Sequence, residues 1–333
     1  MRGILALALV AAALTAGVAY MLAMPGTSYR GPLPPLAAAE RACAQRLHQD
    51  VSALAITIGE RRVGLGRSLR AAADLLYLRL EAIARAAPLE RSRLHREPLP
   101  AAAAGAENLV LDLAGEKRGP LILIGAHYDS AHGTPGANDN ASGVAVALEL
   151  AQRFAAKPTV LPLRFVLFAN EEMPFFRQGG MGSDTHAANA RTRGEEIRVM
   201  FSLETMGYYS QREGSQRYPW PLSLANPDRG NFIGFVGNLA SASELREVIG
   251  AFRESVRFPS EGAALFEALP GVGWSDHANF WQRGYPAIMI TDTAPYRFPQ
   301  YHDAGDVPDV VDFESLARVV TGLEAVVEKL AGR

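Results

Sequence analysis

From Asn108 onward, short wholly apolar runs alternate with stretches whose apolar residues recur at helical spacing. NLVLDL, PLILIGAH, LRFVLFAN, IRVMFSLE, FIGFVGN and PAIMITD lack the in–out alternation of half-exposed strands and read as strands buried on both faces. Between them, ASGVAVALELAQRFA places Val144, Leu148, Ala151 and Phe154 on one helical face, and residues 183–193 read as a further helix. The last segment repeats Phe313, Leu316, Val320, Leu323, Val327 and Leu330, with Asp312 in position to cap its N-terminus. Amphipathic helices are also expected over 38–55 and over 68–86, the latter on Leu69, Ala73, Leu76, Leu80 and Ile83. Strands alternating with helices predict an α/β fold, a three-layer αβα arrangement around a mostly parallel central sheet.

The first residues break this rhythm. No charge falls between Arg2 and Arg30, and Ile4–Met24 is almost entirely apolar, close to the roughly 20 residues that cross a bilayer. One N-terminal hydrophobic helix is therefore expected, as an uncleaved anchor with Arg2 on the cytoplasmic side. The competing reading is a signal peptide cut near Gly17-Val18-Ala19. Either one exports the remainder to the periplasm or the extracellular space. Residues 1–24 are thus anchor or signal, 25–37 a proline- and glycine-rich linker, and 38–333 the folded domain. Residues 210–231 are polar and interrupted by proline, so a long surface insertion is expected there, at a sheet edge where such loops often border a site.

Composition narrows the chemistry. A net charge of −2 gives no basic excess to draw nucleic acid. Cys43 is the single cysteine, so neither an intrachain disulfide nor a cysteine-built metal site is available. A bound metal would have to rest on histidines and carboxylates.

In open parallel sheets, ligands bind beyond the carboxyl ends of the strands. Those ends here carry His127-Tyr128-Asp129, Glu171-Glu172, Glu204 and Asp292, with His302 in the loop before the last helix. Singly, each has an ordinary explanation: a solvated imidazole, a helix N-terminus favouring acids, a turn aspartate such as Asp139. Together they place acids and imidazoles on one sheet edge without lysine or arginine to balance them. A divalent cation would cancel that repulsion, and histidines with carboxylates suit zinc.

GAHYDS, GANDNASG, FANEE, SLETMG, WSDHANFW and YHDAGD resemble, in order, the signature blocks of the M28 family of zinc exopeptidases, over roughly residues 55–330. The resemblance implies the zinc-exopeptidase (phosphorylase/hydrolase-like) fold, two zinc ions and peptide substrates. It assigns His127 and Glu204 to one zinc, Glu172 and His302 to the other, and Asp139 to both as a bridge. Glu171 would be the general base that takes a proton from the activated water, and Asp129 the carboxylate that orients His127. Asp276 and His277 resemble a further polar pair lining the pocket. Family members also carry a cis peptide after the bridging aspartate, here Asp139–Asn140. One departure is Glu204, where many members have aspartate. The glutaminyl cyclases, which share the fold, work with a single zinc and lack the metal this position serves.

Three functions follow as expectations: an aminopeptidase acting on peptide N-termini, a single-zinc glutaminyl cyclase, or an inactive ectodomain that binds a partner. Specificity is carried by aromatic and apolar residues next to the blocks. Phe175 and Phe176 follow Pro174 in an expected loop and are the first candidates for a pocket wall. Met206, Tyr208, Trp274, Phe280 and Tyr301 are the others. His132 and His186 have no partner pattern and read as surface residues. Oligomeric state is not legible.

Overall fold

The computed structural model describes residues 17–332, apart from 101–102, 104, 220–221 and 225–226. Helices α1 (Ala38–Ser52) and α2 (Ser68–Ala84) precede strands β1 (Ser92–Pro98), β2 (Glu107–Leu113) and β3 (Leu121–His127). Then come α3 (Gly143–Ala155), β4 (Leu163–Phe168), α4 (Gly182–Thr192), β5 (Ile197–Glu204) and β6 (Ile233–Asn238). The chain closes with α5 (Ala242–Ser255), β7 (Ser260–Leu265), α6 (His277–Gln282), β8 (Ala287–Thr291) and α7 (Phe313–Leu330).

All eight strands form one sheet in the order β1-β2-β4-β3-β5-β8-β6-β7. The central four, β4, β3, β5 and β8, run parallel. Both flanks bring in antiparallel pairs: β1 with β2, β2 with β4, and β6 with β8. The sheet is therefore mixed: its four central strands are parallel, and the edge pair β6–β7 is parallel as well. β3 is buried at every position, as its unbroken apolar run requires.

Alternate residues of each strand feed two cores. Ile122, Ile124, Phe165 and Phe201 meet α1, α2, α3, α5 and α7 on one face. Leu121, Leu123, Phe168 and Met200 meet α4 and α6 on the other. Asp312 caps α7, its Oδ1 accepting the Ser315 N–H at 2.9 Å.

The segment expected as a linker, 25–37, is held against the domain. Arg253 donates to the Pro25 carbonyl at 3.0 Å, the Ser28 hydroxyl accepts the Ser260 N–H at 3.0 Å, and Arg318 donates to the Pro34 carbonyl at 2.7 Å. A proline- and glycine-rich strand exposes carbonyls with no regular partner, and arginines of α5 and α7 take them. Among the described residues no helix is long and apolar enough to cross a membrane. Most of the segment expected to do so, residues 1–16, lies outside the described part.

Candidate metal centre

Because β3, β4, β5 and β8 are parallel, their carboxyl ends open on one edge of the sheet, and that edge collects the polar strand ends. His127 ends β3 and Glu204 ends β5. Asp139 lies in the turn that enters α3, with extended backbone (φ −109°, ψ 93°), and its peptide to Asn140 is cis. Glu171 and Glu172 follow β4, and His302 lies in the loop before α7. Non-glycine residues with positive φ flank the acids: Asn170 (60°) before Glu171, Thr205 (41°) after Glu204, and His302 itself (57°). Such conformations gather where surrounding structure dictates side-chain aim.

Two donor triads result, His127–Asp139–Glu204 and Asp139–Glu172–His302. His127 Nε2 is 3.5 Å from Asp139 Oδ1 and 3.3 Å from Glu204 Oε2. His302 Nε2 is 3.1 Å from Asp139 Oδ2 and 3.4 Å from Glu172 Oε1. Each oxygen of Asp139 thus faces a different triad. Both His127 ring nitrogens, both Asp139 oxygens and Glu172 Oε1 are buried without a hydrogen-bond partner. Buried polar atoms are rarely left so, and all of these but His127 Nδ1, which faces Asp129, belong to the two triads.

The electrostatics agree. Burial alone would lower His127, yet Glu204 and Glu171, with Asp129 and Asp139, hold it well above its ordinary value. Burial would also lower His302, but Asp139 and Glu172 raise it to about 10. Burial and the Asp139 carboxylate push Glu172 up to about 7. Protons are being asked to do what a pair of cations does better, and the donor set of histidines and carboxylates fits zinc.

Glu171 belongs to neither triad. Its Oε2 stands 4.0 Å from His127 Nε2, and burial, reinforced by Glu172, Glu204 and Asp276, holds its carboxyl well above the usual range. Asp129 has a larger task than orienting His127. Its Oδ1 is 3.4 Å from His127 Nδ1, while its two oxygens accept the Glu171 N–H at 3.1 Å and the Glu172 N–H at 3.0 Å. One carboxylate therefore ties the end of β3 to the Glu-Glu pair after β4.

Residues that the motifs did not single out support this edge. Arg61, fully buried, donates Nε to the Tyr128 carbonyl (2.8 Å), Nη1 to Pro135 (2.5 Å) and Nη2 to Gly136 (2.9 Å). Gly136 has φ +61°, and a Cβ there would strike the Asp139 carbonyl and Arg61, so only glycine fits. Asp306 accepts the N–H groups of Asn138 (2.7 Å) and Asp139 (3.0 Å). The Ser275 hydroxyl donates to Glu204 Oε2 at 2.6 Å. Arg61 lies outside every motif block and carries no signal in sequence; only the fold brings it in.

A cleft of about 880 Å³, open to solvent, adjoins Glu204. Trp274 and Tyr301 line it, and Gln216, Tyr218 and Pro219 of the insertion wall it. Phe175, Phe176, Met206, Asp276 and His277 do not line this cleft, and neither do Tyr208 and Phe280. Met206 and Phe280 are fully buried in the packing under the site. Phe175 and Phe176 are half-buried in the loop after the cis Met173–Pro174 peptide. Asp276 and His277 have no exposed surface; His277 donates Nε2–H to the Val272 carbonyl at 2.7 Å, and burial pushes its pKa down to about 4. His132 is exposed, but His186 is buried, its Nδ1 2.7 Å from Glu97 Oε2. Its helical face, not its immediate neighbours, decides that burial.

Residues 108–327 match Peptidase family M28. Uncharacterized protein YfbL of Escherichia coli (strain K12) is 42% identical over 241 residues, covering 70% of this chain and 73% of that protein. The structure of BSAP, a zinc aminopeptidase from Bacillus subtilis, is similar with a TM-score of 0.63 at 16% identity, over 86% of this chain and 94% of that one. A glutaminyl cyclase from Tannerella forsythia is similar with a TM-score of 0.61 at 20% identity, over 86% of this chain and 98% of that one. These two likenesses are of fold.

Proposed function

The chain belongs to peptidase family M28, and on that premise we propose that it is a metallo-aminopeptidase that works with two zinc ions. The observation that carries this reading is the shared Asp139, with Oδ1 toward His127 and Oδ2 toward His302. Two cations held there would polarise the scissile carbonyl and make a water acidic enough to ionise near neutral pH.

The chain's own residues would do the rest. Glu171 is free of the triads, buried, and held at raised proton affinity. It is suited to accept a proton from water and return it to the departing amine. Asp129 fixes the backbone of Glu171 and Glu172, so the base and the ligand keep their separate directions. Ser275 orients Glu204.

The fold alone does not choose between aminopeptidase and cyclase. Glu204 favours the first: it lies 3.3 Å from His127 Nε2 and completes the triad that a single-zinc site would leave idle. Metal analysis of the purified protein, joined to a screen of aminoacyl and glutaminyl reporters, tests this. About two equivalents of zinc and release of an N-terminal residue are expected. Glu171→Gln should keep its zinc and lose on the order of 10²- to 10⁴-fold in kcat; undiminished turnover would remove Glu171 from the mechanism. Pyroglutamate formation with one zinc would establish the cyclase, and no turnover of either class the inactive ectodomain.

A further inference from the structure

Strand register places a row of residues across the sheet on the face that carries α4 and α6. Glu204 on β5 pairs with Thr291 on β8, Thr291 with Gly234 on β6, and Gly234 with Glu261 on β7. Paired residues on neighbouring strands project from the same face, and three strand spacings separate Glu204 from Glu261 by about 14 Å. All four line the cleft described above. Thr291 is short and Gly234 has no side chain, so the row forms a floor with an acid at each end. One acid belongs to the metal centre; the other has no assigned task.

The walls between them are apolar and aromatic: Phe232, Val236, Trp274, Met289 and Tyr301. Glu261 is half-buried, and burial raises its carboxyl above the usual range. Its nearest ion-pair nitrogen among the described residues is Arg253 Nη2 at 3.9 Å, and that nitrogen already donates to the Ser260 carbonyl at 2.7 Å. The Ser28 side chain hydrogen-bonds to it and Arg30 acts on it at longer range. The carboxylate therefore ends an apolar trough with one long ion pair, to Arg253 at 3.9 Å, among the described residues.

We infer that Glu261 is a specificity-determining residue that selects a basic N-terminal side chain. This rests on the aminopeptidase reading, and it specifies that reading's substrate class. Lysine and arginine lay unbranched stems along apolar and aromatic surface and carry the charge at the tip. With the α-amine and scissile carbonyl at the metal centre, the stem would follow the trough and the cation would meet Glu261. An apolar side chain would fill the same walls but bring no cation to Glu261, which counts against it.

Equilibrium titration separates this inference from turnover. The zinc-loaded Glu171→Gln protein is titrated with L-argininamide and L-norleucinamide. Argininamide should bind at least about 10-fold more tightly, in line with a charge-assisted hydrogen bond. Adding Glu261→Gln should abolish the difference while leaving norleucinamide affinity within about twofold. Equal or tighter binding of norleucinamide, or a difference that survives Glu261→Gln, overturns the inference. In the active protein, kcat/KM should favour arginyl over leucyl reporters by a similar factor, and that preference should fall with Glu261→Gln. A protein that cleaves no aminoacyl reporter would refute the aminopeptidase reading, while the titration would still decide whether the trough selects a cation.

Discussion

Glu97 and Glu172 are both buried acids, yet their surroundings drive them in opposite directions. Burial raises both; for Glu97 the contacts from His186, Asn108 and Asn189, at 2.7 to 2.9 Å, outweigh it and bring the carboxyl to about 2. Glu172 lacks such a set and sits at about 7. The satisfied acid is structural, and the unsatisfied one marks the site. The contrast has a pH signature. Glu97 is depressed below its usual 4.5, so the native state binds fewer protons than the unfolded chain. Its stabilisation is complete above about pH 4.5 and is lost as pH falls toward 2. Glu97→Gln should therefore cost on the order of 2 kcal/mol at pH 7. The gap from the parent should narrow steadily below pH 4.5. Urea unfolding of both proteins at pH 7, 5 and 3.5 checks this, and a gap independent of pH would deny Glu97 its charge.

At the scale of elements, the most legible features were strand ends. An unbroken apolar run such as LILIGAH identifies a doubly buried strand, and the polar residues that end it then have to lie at the carboxyl edge. Less was visible where polar residues carry the structure. β1 (SRLHREP) and β7 (SEGAAL) are edge strands with too little apolar content to show a period, and neither is expected from the sequence. α5 does carry helical spacing in Leu245, Val248, Ile249 and Phe252, but it lies in the long interval between the SLETMG and WSDHANFW blocks and is not among the expected helices. The loop from Tyr128 to Gly136 shows the deepest limit. Its turn residues are evident in sequence, whereas the side chain that holds them, Arg61, comes from an unrelated segment. Arg61→Met would take the guanidinium donors from those carbonyls and let the loop between His127 and Asp139 relax. Zinc affinity, measured by competition with a chelator, should fall at least about 10-fold. Arg61→Lys, which keeps charge but not the planar fork, should recover only part of it. Unchanged zinc affinity in Arg61→Met would assign the residue to stability alone.

At the scale of the whole molecule, the N-terminal strand ties the domain to whatever precedes it. Residues 20–34 lie along α5, β7 and α7. Arg246 sits over the Tyr20 ring at 4.3 Å and donates to the Ala23 carbonyl at 3.2 Å, with Arg253 and Arg318 continuing the series at Pro25 and Pro34. Met24 and Pro25 pack against Gly262 and Gly250, where a side chain would not fit freely. We propose that the chain is exported and that this strand sets the domain close to the bilayer when the first segment is retained. Removal of 1–19 should then release the protein from membranes without changing its melting temperature, because the docked strand survives. Removal of 1–37 should cost more, since it strips the partners of three arginines and uncovers the surface under Leu36. Loss of about 2 kcal/mol would lower Tm by roughly 3 °C in a domain of this size. Membrane fractionation and thermal unfolding of the two truncations test this together. A parent chain that starts at Tyr20 when isolated would show that the segment is cleaved, and equal Tm for both truncations would show that the strand contributes nothing to the fold.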